Sequence, residues 1–65
     1  MFSYKKFDKI IKSMGVTAYR VCKETDIATA TITGWKNGLY TPKIDKIQKI
    51  AAYLGVNILD LMGDD

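Results

Sequence analysis

Histidine is missing from this sequence, and cysteine, proline and tryptophan each occur once. Without an imidazole, Cys22 has no base to activate it, and Ser3 and Ser13 have no partner for a histidine triad. The Cys and His clusters that hold zinc are absent too. The acids are Asp8, Glu24, Asp26, Asp45, Asp60, Asp64 and Asp65, and no two stand in an acid/base or calcium-loop spacing. No catalysis, metal or cofactor is therefore expected. A lone cysteine also excludes an internal disulfide, which fits a reducing cytoplasm. Cys22, between Val21 and Lys23, reads as a buried, inert thiol. No apolar run approaches the roughly 18 residues needed to span a membrane. The opening run MFSYKKFDKII mixes aromatics with lysines and does not read as a signal peptide.

What is present suits one small globular domain of 65 residues, 48% hydrophobic and 26% charged. A chain this short buries only about 60% of its unfolded surface, so its core must be economical. Ten Lys and Arg against seven Asp and Glu give a net charge of +3. That balance permits a polyanionic partner without proving one. Two of the acids are the last two residues, so the body of the domain is more basic than the total suggests.

Apolar spacing predicts an all-α chain of five short helices, at about 3–13, 18–25, 28–37, 42–54 and 58–62. Ser3 is placed to cap the first, with Phe7, Ile10, Ile11 and Met14 on one face and Gly15 as its stop. Lys5, Lys9 and Lys12 gather on the opposite side, either as a solvated face or as a strip facing phosphate. Thr17 caps the second helix, whose inward residues are Val21 and Cys22. Asp26 and Ile27 then turn the chain into ATATITGWKNG, residues 28–38. Threonines at 29, 31 and 33 favour a strand, but Ile32 and Trp35 have helical spacing, and Gly38 stands where a helix would close. Thr41 and Pro42 look like the cap and first residue of a fourth helix, with Ile44, Ile47, Ile50, Ala51 and Leu54 as its apolar face. Asn57 and Asp60 have capping-box spacing for a last short helix containing Ile58, Leu59, Leu61 and Met62. Gly63, Asp64 and Asp65 are expected to fray. The expected core is Phe7, Ile10, Val21, Ile32, Trp35, Ile47, Ile50 and Leu54.

Two short helices joined by a tight turn describe a helix-turn-helix, whose second helix lies in the DNA major groove. Such a helix must grip the protein on one side and present short side chains to base edges on the other. The stretch meets both demands, because Ile32 and Trp35 anchor it and its outer residues are small. Its Ala and Thr methyls suit thymine methyl groups.

From Thr17 to Gly38, and on through TPKIDKIQKIAAYLGV, residues 41–56, the chain resembles the Cro/phage-repressor type (XRE-like) of helix-turn-helix. The carrying features are a capping Thr, an inward aliphatic-plus-small pair and a turn, then Ile32, Trp35 and Gly38 in the pattern I-x-x-W-x-x-G. A proline-started helix ending in LGV follows. The resemblance implies a compact five-helix, lambda-repressor-like domain that binds double-stranded DNA. It implies base-reading positions at Ala28, Thr29, Ala30, Thr33 and Gly34. It implies phosphate contacts at Asn37, at Lys43 and at the start of the second helix, Ala18 and Tyr19. Lys36 replaces the family's usual acid and favours DNA, while Arg20 is open between phosphate contact and plain solubility, as is Lys23. Departures are the missing glutamine at Ala18, Asp26 in place of a turn glycine, and Ala28 in place of a capping serine.

The expected function is a sequence-specific transcriptional regulator of phage or mobile-element type. It would act in the cytoplasm as a repressor, binding an inverted-repeat operator as a homodimer. Ile58, Leu61 and Met62 are the candidate dimer surface. A protein-interaction module that kept the fold without strong DNA binding is the other reading, because Ala18, Ala30 and Gly34 leave the reading face poor in donors.

Overall fold

The computed structural model describes residues 1–63, so Asp64 and Asp65 lie outside the described residues. Four α-helices follow one another, α1 (Tyr4–Met14), α2 (Ala18–Thr25), α3 (Thr29–Lys36) and α4 (Ile44–Leu54), then a 3-10 turn over Ile58–Leu61. The all-α expectation holds, but the fifth element is one tight turn instead of an α-helix.

Local chemistry sets most boundaries. Ser3 Oγ accepts from the Lys6 amide at 3.2 Å, and Thr17 Oγ1 from the Arg20 amide at 3.1 Å, so both expected caps are formed. Gly15 and Gly55 close α1 and α4 in the left-handed region, at φ +70° and +71°. Asn57 and Asp60 make the expected capping box.

The start of α4 differs from the sequence expectation. Thr41 does not cap it, and Pro42 is buried ahead of the helix. Lys43 is the boundary residue with ψ 158°, and its carbonyl accepts from the Lys46 and Ile47 amides at 3.0 and 3.1 Å. Pro42 lines a hollow with Thr31, Tyr40 and Lys43, and the helix begins two residues later, at Ile44.

One core joins all the elements. Phe7, Val21, Ile47, Ile50 and Leu61 are fully buried, with Ile11, Cys22, Ile27, Ile32, Trp35, Ala51 and Leu54 nearly so. Two expected inward residues of α1 are displaced. Ile10 is half-buried against the edge of the core and Met14 is exposed, because the helix turns its Phe7–Ile11 face inward. Ile44, expected on the apolar face of α4, is exposed at the helix start. Cys22 is buried as expected, and desolvation pushes its thiol pKa up, which keeps the sulfur protonated and inert.

The chain ends are clasped together. Ser3 donates its amide to the Leu61 carbonyl at 2.7 Å, and Gly63 donates to the Met1 carbonyl at 2.8 Å. Phe2 and Met62 form an isolated antiparallel bridge between these bonds. Gly63 is thus held and not frayed. Leu61 points inward at 0% exposure, so it cannot serve as dimer surface; only Ile58 and Met62 of that expected set retain accessible area.

Candidate nucleic-acid interface

The interface is built on the turn between α2 and α3. Asp26 adopts φ +59°, a left-handed conformation that Asp tolerates better than most residues, and does there what a glycine would do. The Ile27 amide bonds the Cys22 carbonyl at 3.1 Å, and the Ile27 side chain is buried beneath the turn. Sequence reading left Ile27 in the turn without a role; it anchors the two helices to one another.

Ala28 precedes α3 as its boundary residue and makes no side-chain cap bond, as expected of alanine. Ile32 and Trp35, each 4% exposed, hold α3 from below. Trp35 meets Tyr4 and Phe7 of α1, which gives the short helix a firm aromatic seat. Gly38 closes the segment at φ +74°. Ala28, Thr29, Ala30 and Thr33 are all exposed, so four of the five expected base-reading positions form one open surface.

Gly34 does not join them. It is buried beneath the ring of Tyr40, whose hydroxyl donates to the Ala30 carbonyl at 3.0 Å. The loop after α3 therefore folds back along the helix, and the Leu39 amide bonds the Gly34 carbonyl at 2.9 Å. Sequence reading missed Tyr40. Its only trace there was a glycine inside a helical pattern, a sign of close approach by another group.

The expected phosphate-side residues separate into groups. Lys36 and Asn37 are exposed at the C-terminal end of α3. Lys43 lines a hollow with Thr31, Tyr40, Thr41, Pro42, Asp45 and Lys46, directly beside α3. Lys46 lines the same hollow and so adds a second ammonium there. At the start of α2, Tyr19 and Arg20 are exposed and Ala18 is half-buried. Arg20 lines a different hollow with Gly15, Val16, Thr17 and Tyr53, so it stands by the α1–α2 turn and α4. Its Nε lies 3.9 Å from Glu24 Oε1, an exposed pair of small energetic weight. Lys12 pairs with Asp8 at 2.9 Å, and that hydrogen bond raises the lysine pKa, so part of the α1 lysine strip is neutralised locally.

The arrangement presents a short helix of methyl and hydroxyl groups, flanked at its far end by lysines and an asparagine. Such a surface fits a groove between phosphate rails. Among the described residues, no helix is long and apolar enough to cross a membrane. A family model for the Cro/C1-type HTH DNA-binding domain matches residues 6–65, and the chain belongs to that family. Comparison with curated proteins and with solved structures gave no match.

Proposed function

We propose that this member of the Cro/C1-type helix-turn-helix family is a sequence-specific transcriptional repressor of phage or mobile-element type, with α3 in the major groove of double-stranded DNA. It acts by occupancy, covering promoter DNA in the cytoplasm without catalysing a reaction. The observation that carries the reading is the open surface of Ala28, Thr29, Ala30 and Thr33 on a helix seated by Ile32 and Trp35. Thr29 and Thr33 supply hydroxyls, and the alanines and threonine methyls supply apolar contact to thymine. Lys36, Asn37 and Lys43 meet phosphates at one end, and the backbone amides of Ala18 and Tyr19 at the start of α2 meet them at the other.

Binding is to an inverted repeat as a homodimer, with the two α3 helices about 34 Å apart. Fluorescence anisotropy with labelled duplex from upstream of the gene tests this reading. Expected is tight binding at low salt that weakens steeply as salt rises. Absence of binding below about 10 µM at low salt, or affinity indifferent to salt, would sink it.

One observation favours the protein-interaction reading instead. Leu39, Tyr40 and Ile44 expose apolar surface beside the lysine hollow, at 74%, 49% and 58%. A stable protein partner that co-purifies while excluding duplex DNA would support that alternative.

A further inference from the structure

Position 34 carries no side chain, and the ring of Tyr40 fills the space where one would project. A Cβ on Gly34 would lie 2.5 Å from Tyr40 Cζ, 2.6 Å from Oη and 2.7 Å from Cε2. At roughly 100° per residue, Ala30 and Gly34 lie about 160° and 200° round α3 from the buried Ile32. The ring is therefore on the outer half of the helix, next to the open surface.

Polar chemistry on that surface is sparse. Ala28 and Ala30 offer only methyls, and Thr29 and Thr33 offer one hydroxyl each. Tyr40 lies beside them, against Gly34 and Ala30, and is 49% exposed. Its hydroxyl proton is committed to the Ala30 carbonyl at 3.0 Å, so the oxygen presents lone pairs outward as an acceptor. In the major groove the matching donors are the exocyclic amines of cytosine and adenine.

We propose that Tyr40 is a specificity-determining residue of the DNA interface. Its ring stands in for the missing side chain at position 34, and its oxygen accepts from an exocyclic base amine beside the bases faced by Ala30 and Thr33. The assignment rests on α3 lying in the major groove.

The test is selection from a randomised double-stranded DNA pool, using the wild-type chain, Tyr40→Phe, Tyr40→Ala and Thr33→Glu. Anisotropy then follows on the selected duplex and on duplexes changed one base pair at a time, with a thermal melt of each protein. The wild type is expected to select cytosine or adenine over guanine and thymine at one position of one strand, and the selection shows which. Tyr40→Phe keeps the ring over Gly34 and should lose about two- to tenfold of that preference, with the other positions and the melt unchanged. Tyr40→Ala should lose the preference and bind the selected duplex more weakly. If Tyr40→Ala fails to fold, Tyr40→Phe alone carries the test.

A motif unchanged at every base pair in Tyr40→Phe would overturn the assignment. When Thr33→Glu abolishes binding and Tyr40→Phe alters nothing, Tyr40 alone loses its role and the groove reading stands. A wild type that selects no sequence, or a Thr33→Glu chain that binds as well, defeats the groove reading and this assignment with it.

Discussion

Trp35 of α3 and Phe7 of α1 face each other with ring centroids 5.3 Å apart and planes inclined by 32°. Tyr4 closes on Trp35 edge-on, at 5.5 Å and 85°. The helix proposed to enter DNA is thus held by aromatic contact with the first helix, and not only by its neighbour across the turn.

Trp35→Ala removes that seat. A loss of about 3–5 kcal/mol is expected, which approaches the whole stability of a small domain. Far-UV circular dichroism should show the cooperative thermal transition lost or shifted far down. A melt like the parent's would mean that α3 is not anchored as described.

Leu61 and Met62 are adjacent and should behave oppositely. Leu61 is fully buried, so Leu61→Ala should cost about 2–5 kcal/mol, while Met62→Ala, at a partly exposed site, should cost under about 1 kcal/mol. Urea midpoints for the two variants decide it. Equal small losses would put Leu61 back on the surface.

Asp26 holds a left-handed turn at φ +59°. A β-branched residue fits that conformation poorly, so Asp26→Val should destabilise by about 1–2 kcal/mol, whereas Asp26→Gly should be neutral or mildly stabilising. Denaturant unfolding of both checks the contrast, which disappears if the turn is free to rearrange.

Thr33 is exposed on the open face of α3. Thr33→Glu should fold and melt like the parent, yet lose DNA binding, since it sets a carboxylate among phosphates. Retained affinity in anisotropy would argue against insertion into a groove.

Lys43→Ala should weaken binding about equally to every duplex and lower the slope of log K against log salt by about 1. A titration at several salt concentrations measures it. An unchanged slope would leave the Lys43 ammonium away from phosphate.

Much of the frame was legible because its signals are local. Ser3, Thr17 and Asn57 cap through bonds within a few residues of chain, and Gly15, Gly38 and Gly55 take φ values that other residues resist. The spacing of Ile32 and Trp35 gave the inner side of α3 for the same reason. Errors fell where distant residues compete for one place. Ile10 gave way to Ile11, Pro42 was buried ahead of its helix, and Leu61 was drawn under the N-terminal clasp.

The all-α order, the caps at Ser3, Thr17 and Asn57, the glycine stops and the short-side-chained outer face of α3 were all readable from the chain. Those follow from residue type and period within one element. The shape of that face, by contrast, came from contacts between distant parts of the chain. Gly34 faces outward by period, yet it is covered by a tyrosine six residues on, because the loop's return path is set by long-range packing that no helical period encodes.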